Sequence, residues 1–210
     1  MLIDFHSHHA APYSITCNAD ASEHAQSSAL LTCAGLLPQL WTRERQQQLF
    51  DILASRADLQ MGEVGLDRRF DGILSMERQT AILKEELEFA ISRDRCISLH
   101  CVRATKMMLD ILAELKYRPY SILWHEFTGS PETAAELKKL KVILSVGPRF
   151  AGNLDDLLKA NPFTVPETDY EGSDDAEHRR ILENQYLRFP SDYPTESQKI
   201  FRLFSTGCSA

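Results

Sequence analysis

Short apolar runs alternate with longer amphipathic stretches along most of this chain. Eight runs have the length and the content of branched and aromatic residues typical of buried strands. They cover residues 2–5, 14–17, 29–34, 59–64, 96–100, 121–124, 142–146 and 163–165. The stretches between them predict helices at residues 43–54, 76–92, 105–115, 131–140 and 154–160. This β-then-α order predicts a parallel sheet, and eight such strands favour a closed (β/α)8 barrel.

Several predicted helices begin beside a residue suited to capping them. Ser75 precedes the helix at 76–92, and Ser130 precedes the helix at 131–140, whose first residue is proline. A serine hydroxyl accepts a hydrogen bond from the first helical turn, and proline suits the first helical position. Beyond residue 169 a polar loop at 171–175 leads into a predicted helix at about 176–187, followed by two prolines and a last short helix.

The length and composition favour a single globular domain over residues 1–210. The chain has 210 residues, of which 43% are hydrophobic and 25% are charged, which suffices for a substantial core. A (β/α)8 barrel typically needs about 250 residues. We therefore expect trimmed loops or shortened outer helices.

The sequence predicts a cytoplasmic protein without a membrane segment. The first residues carry neither a basic region nor an apolar signal core, and no apolar run approaches the roughly 20 residues of a spanning helix. The five cysteines are odd in number and none has C-x-x-C spacing, which favours reduced thiols and gives no support to a cysteine zinc site.

The formal charge of −7 argues against a broad basic surface for duplex nucleic acid, because nonspecific affinity comes largely from phosphate neutralisation. It does not exclude a phosphate substrate. Two bound divalent cations would add four positive charges locally and would neutralise carboxylates already counted in the net charge.

Histidines and acids follow the predicted strands in an order that suits a metal centre. His6 and His8 stand at i and i+2, so both rings project from one face of a strand, and two inward imidazoles need partners that offset their burial. A carboxylate such as Glu63 can bridge two cations with its two oxygens. Asp4 is interpreted as an acid that supports the metal ligands or the fold, and His9, His24 and His178 as surface or loop residues. The candidate metal ligands are His6, His8, Glu63, His100, His125 and Asp169.

Five motifs containing these residues resemble those of the TatD family of metal-dependent deoxyribonucleases, within the amidohydrolase-like TIM barrels. They have the forms D-x-H-x-H, G-E-[IV]-G-L-D, [IL]-H-C, H-x-F-[ST]-G and E-T-D, and they span residues 4 to 169 in the family order. The resemblance implies a distorted TIM barrel with two divalent ions, Zn, Mn or Mg. One ion would be held by His6, His8, Glu63 and Asp169, and the other by Glu63, His100 and His125.

The resemblance also implies a hydrolase. A metal-activated hydroxide would cleave a phosphodiester of DNA ends or single strands, or of a small molecule, with Glu63 bridging the ions and Asp169 accepting a proton. The alternatives are hydrolysis of a carboxamide, ester or lactone by the same chemistry, and a non-catalytic metal-binding protein. No obligate protein partner is indicated.

The chain departs from the family pattern beside these motifs. Arg68 and Arg69 stand where aromatic residues are common, and Val102 separates Cys101 from Arg103. These three arginines are candidate phosphate contacts. Leu37 replaces a histidine, and Glu126 replaces a cysteine next to a candidate ligand.

Overall fold

Each apolar run predicted as a strand forms one in the structure, a computed structural model that describes residues 1–18 and 28–206. Each strand pairs in parallel with the next in chain order, so the described residues form one eight-stranded sheet. The predicted (β/α)8 architecture is confirmed. The strands are β1 (Asp4–Ser7), β2 (Ser14–Asn18), β3 (Leu31–Ala34), β4 (Leu59–Asp67), β5 (Ile97–Val102), β6 (Ile122–Trp124), β7 (Ile143–Val146) and β8 (Thr164–Pro166).

Helices follow most of the strands and form an outer layer. They are α1 (Arg43–Ser55), α2 (Met76–Ser92), α3 (Thr105–Glu114), α4 (Pro131–Lys139), α5 (Leu154–Ala160), α6 (Asp175–Tyr186) and α7 (Tyr193–Ser205), with 3₁₀ turns at Pro38–Leu40 and Arg68–Phe70. Both predicted serine caps are present: the Ser75 hydroxyl accepts a hydrogen bond from Arg78 N, and the Ser130 hydroxyl accepts one from Thr133 N. Each such cap stabilises its helix by about 1 kcal/mol.

The core consists of two clusters of buried side chains. The larger one packs the apolar faces of α1 to α5 against the strands, and it includes Leu83 and Leu87 on the predicted apolar face of α2. The smaller cluster joins residues of β1 and β2, such as Phe5 and Ile15, to Ile200 and Phe204 of α7. Full burial of one such side chain contributes about 1.5–3 kcal/mol.

The first and last strands approach each other without a regular ladder among the described residues. The pairings run from β1 with β2 to β7 with β8, and the short β8 ends at Pro166, which has no N–H to donate. Two backbone hydrogen bonds close the gap beyond it: Asp169 N donates to His6 O at 3.0 Å, and His8 N donates to Tyr170 O at 2.9 Å. We call this place the β8–β1 seam.

The state of the cysteines agrees only in part with the expectation that they are reduced thiols. Cys17, Cys33 and Cys101 are free. Cys96 is disulfide-bonded, so the expectation is wrong there, because an odd count of cysteines does not exclude a pair. Cys208, like His24, lies outside the described residues. Within residues 1–18 and 28–206, none of the helices combines the length and apolar character needed to cross a bilayer.

Candidate metal centre

His6 and His8 each have one ring nitrogen held by the protein. Nδ1 of His6 lies 3.1 Å from Oγ of Ser98 on β5, and Nδ1 of His8 lies 2.9 Å from the carbonyl oxygen of Cys17 on β2. The other nitrogen of the buried His6 ring, Nε2, has no hydrogen-bond partner among the described residues. Histidine ligands commonly have this arrangement, in which the protein holds one nitrogen and the metal binds the other.

His100 and His125 complete a group of four imidazoles. Nε2 of His100, on β5, lies 3.1 Å from Oδ2 of Asp67 at the end of β4. Nδ1 of His100 lies 3.2 Å from Nε2 of His125, which follows β6. The rings of His6 and His125 are stacked with their centroids 4.0 Å apart. Four imidazoles at the carboxyl ends of β1, β5 and β6 thus face one small volume.

Glu63 on β4 lies at the centre of this group. Its Oε1 is 2.5 Å from Nε2 of His125 and 3.4 Å from Nδ1 of His100. Its Oε2 is 3.6 Å from Nε2 of His8. Burial alone would raise the pKa of Glu63, but the charge of His125 and the hydrogen bonds from His100 and His125 hold that pKa well below its usual range. The carboxylate is therefore ionised and directs its two oxygens to different imidazoles.

Asp169 brings a second carboxylate to the same group from beyond β8. Its Oδ1 is 3.4 Å from Nε2 of His8 and 3.7 Å from Nε2 of His6. Burial opposes ionisation, yet the hydrogen bond from His8 and the charge of His6 lower the pKa of Asp169 to about 2. Its φ of 51° lies in the left-handed region, an arrangement that costs about 1–3 kcal/mol and is typical of functional sites.

The donor set fits a divalent cation. Ligand atoms of His6, Glu63 and His125 all lie within 4.8 Å of one another, and so do those of His6, His8 and Asp169. Imidazole nitrogens with carboxylate oxygens suit Zn²⁺ and similar ions. His6 belongs to both groups, and its buried, unpartnered Nε2 supports a bound ion, because a buried polar atom normally has a partner.

Glu167 contacts the site from its buried side. It is fully buried and accepts a hydrogen bond from Glu126 N at 2.8 Å and another from the Ser145 hydroxyl. Its Oε1 lies 3.8 Å from Nδ1 of His125. Burial raises the pKa of Glu167 to about 7, although the nearby charge of His125 opposes the shift. Glu126 adopts a left-handed φ of 44°. In this conformation its backbone N–H donates to the Glu167 carboxylate.

A pocket of about 760 Å³ opens above the candidate ligands and contains three arginines. They are Arg69, Arg103 and Arg149. Arg69 makes a paired contact with Asp67, with NH2 at 2.5 Å from Oδ2. The largely exposed Arg149 contacts both Glu126 and Asp169. Arg68 does not line the pocket, because its Nε donates to the carbonyl oxygen of Arg103 and its NH2 approaches Met107.

The structure brings the six predicted ligands together, along with two of the three predicted phosphate contacts. Residues outside the predicted ligand set support the site: Asp67 bonds to His100, Ser98 bonds to His6, and the buried His178 bonds to Asp4. The family motifs contain Asp67 and were a usable signal. Ser98 and His178 carried no local signal, because their roles come from contacts between distant segments.

Fold and site together define a (β/α)8 barrel with a candidate metal centre at the carboxyl ends of its strands. The profile of the TatD related DNase family matches residues 6–188. The chain belongs to this family.

Individual relatives agree with the family and the fold. The human 3'-5' RNA nuclease TATDN2 is 25% identical over 115 residues, a match that covers 55% of this chain and 15% of the human protein. The crystal structure of YJJV, a TatD homologue from Escherichia coli, superposes with a TM-score of 0.75 at 23% identity, covering 91% of this chain and 85% of the other. An uncharacterised amidohydrolase from Saccharomyces cerevisiae gives 0.62 at 15% identity, with 93% and 83% coverage. Both solved structures support the shared fold.

Proposed function

We propose that this chain hydrolyses phosphodiesters of nucleic acid at strand ends or in single strands, with two divalent cations. The observation that carries the proposal is the position of Glu63, whose Oε1 faces His100 and His125 while its Oε2 faces His8. A buried carboxylate with its oxygens turned to two histidine groups has the arrangement of a bridging ligand. In this proposal Glu63 belongs to both metal sites.

The remaining ligands divide between the two sites. His6, His8 and Asp169 complete one site with Glu63, and His100 and His125 complete the other. The four imidazoles favour Zn²⁺ or Mn²⁺ over Mg²⁺, because Mg²⁺ prefers oxygen ligands.

The chemistry of the chain's own side chains follows from their positions. Bound cations would activate water and stabilise the negative charge that develops on the phosphate. Asp169 contacts His8 and also lines the open pocket, so its carboxylate accepts the proton of the attacking water. The guanidinium of Arg149, at the same opening, binds a phosphate oxygen of the substrate. Arg69 and Arg103 contact neighbouring phosphates.

The proposed substrate is short or single-stranded because the positive charge is local. The chain as a whole has an acidic balance, with a formal charge of −7, which disfavours binding along a long duplex. The family description refers to DNA and the human relative's name refers to RNA. Both strand types therefore belong in the test.

The test begins with elemental analysis of the purified protein, where we expect about two divalent ions per chain. Cleavage is then measured on end-labelled single-stranded DNA and RNA, on linear duplex and on closed circular duplex, beside ester, amide and lactone substrates. We expect cleavage of single strands and ends. Turnover of an ester, amide or lactone without any phosphodiester cleavage would reject the proposed substrate, and absence of bound metal would reject the proposed centre.

A further inference from the structure

A fully buried carboxylate, Asp4, lies beneath the candidate metal centre and makes four hydrogen bonds. Its Oδ1 accepts from His6 N at 3.2 Å and from Thr168 N at 3.0 Å. Its Oδ2 accepts from the Thr168 hydroxyl and from Nε2 of His178, both at 2.6 Å. Burial of a carboxylate is costly unless such bonds satisfy it. The interpretation of Asp4 as an acid that supports the metal ligands or the fold stays a prediction, and these bonds identify the groups that it holds.

The bonds of Asp4 cross the β8–β1 seam at the place where the candidate ligands meet. Thr168 stands between Glu167 and Asp169, and its hydroxyl also accepts a hydrogen bond from Tyr170 N at 3.2 Å. Asp4 holds this segment and the backbone of His6 through the same oxygen, Oδ1. No regular strand ladder joins β8 to β1 in the described part of the chain. The placement of Asp169 relative to His6 therefore depends on the two backbone hydrogen bonds of the β8–β1 seam and on the bonds of Asp4 that support them.

His178 fixes the position of the Asp4 carboxylate from α6. The ring is fully buried, and it stacks on Tyr170 with centroids 5.0 Å apart and an interplanar angle of 9°. Its Nδ1 has no partner among the described residues. Among the described residues, the bond from Nε2 to Asp4 is thus the one hydrogen bond that this buried ring makes. The interpretation of His178 as a surface or loop residue is wrong, because α6 packs this face against β1.

We propose that His178 is a positioning residue for the metal centre. Through Asp4 and Thr168 it sets the placement of Asp169 relative to His6 and His8, and so it links the docking of α6 to metal affinity. This inference rests on the proposed function, since it requires that these residues bind metal. Residues that hold metal ligands in place typically account for about 10- to 100-fold in metal affinity.

Tyr186 provides a control on the same helix. Its hydroxyl accepts from Ile3 N and donates to Ile3 O, both at 3.0 Å, so it also ties α6 to the segment before β1. It does not bond to Asp4 or Thr168 in the described structure. Tyr186→Phe therefore weakens the attachment of α6 and leaves the carboxylate network intact.

The experiment measures Zn²⁺ affinity by competition with a chromophoric chelator, together with thermal unfolding of the metal-free protein. We expect His178→Leu to weaken Zn²⁺ binding about 10- to 100-fold. His178→Gln, which keeps an N–H donor directed at Asp4, should recover most of that loss. Tyr186→Phe should lower the unfolding temperature with Zn²⁺ affinity within about threefold of wild type. Thr168→Val removes the hydroxyl bond to Asp4 and serves if His178→Leu does not fold.

The outcomes separate the two proposals. A wild-type chain that binds no Zn²⁺ overturns the metal centre and the positioning role together. Normal wild-type binding with unchanged affinity in His178→Leu, or in Thr168→Val where that variant replaces it, overturns the positioning role alone. Equal losses of affinity in His178→Leu and Tyr186→Phe would also overturn it, because general loosening of α6 would then explain both.

Discussion

The number of arginines in the pocket limits how strongly salt should weaken nucleic acid binding. Arg69, Arg103 and Arg149 are the three arginines of the described pocket lining, which contains no lysine. Each phosphate neutralised on a single strand contributes about −0.7 to the slope of log K against log salt. Three contacts give a slope of about −2.1, so affinity should fall about 18-fold between 50 and 200 mM salt.

The assay is fluorescence anisotropy with a labelled single-stranded oligonucleotide whose linkages resist hydrolysis. Arg149→Gln removes one contact and should reduce the slope to about −1.4, which corresponds to a loss of about sevenfold over the same range. Lys139→Gln makes the same charge change at the end of α4, away from the pocket, and should leave the slope unchanged.

A steep slope would refute this reasoning. A protein that follows a duplex through eight contacts would have a slope of about −7 and lose about 10⁴-fold in affinity over that range. A slope near that value, or one that Arg149→Gln does not change, would mean that phosphates are bound outside the pocket.

Three further predictions address the ligands and the core. Glu63→Gln should lose both metal ions, because its two oxygens face different imidazoles; full metal content by elemental analysis would contradict the bridging role. Asp169→Asn should lower kcat by on the order of 10² or more, because it removes the proton acceptor. Glu171→Gln changes an exposed acid of the same pocket and should have little effect. Near-normal turnover of Asp169→Asn would assign the proton acceptor to Glu126. Burial and the neighbouring Glu85 raise the pKa of Glu86 well above its ordinary 4.5, so the folded state holds an extra proton and wild-type stability falls as pH rises above about 4.5. Glu86→Gln should therefore raise the free energy of unfolding in urea by about 1–3 kcal/mol over wild type at pH 8, and by less at pH 5. The exposed Glu88→Gln is the control. An equal increase at both pH values would contradict this prediction.

The sequence predicted those parts of the molecule that depend on local pattern. The order of strands and helices is confirmed, and the six candidate ligands lie together because the carboxyl ends of barrel strands meet at one face. β4 extends to Asp67, three residues beyond the predicted end. Gly65 lies inside this strand, where a side chain would overlap the carbonyl oxygen of His100. The glycine thus allows the close approach of β4 to β5.

Contacts between distant segments could not be predicted in the same way. Arg68 and Arg69 are adjacent in sequence, yet the 3₁₀ turn directs Arg69 to Asp67 and Arg68 to the backbone of Arg103. The sequence around His178 did not indicate a role at the site, because histidines are common on helices. The role of His178 comes from its contact with the distant Asp4. Such pairings depend on the closed barrel and have no counterpart in local sequence.

The bonds across the β8–β1 seam have a consequence for the order of events during synthesis. The hydrogen bond from Thr168 N to Asp4 joins residues 164 positions apart. His6 and His8 are synthesised early, and Asp169 is added roughly 10–30 s later at ordinary translation rates. Contacts of such long range also form late in folding, because closing a long loop is entropically costly. In the proposed centre, the nascent polypeptide would thus hold an incomplete set of ligands, and both ions would bind only after the barrel has closed.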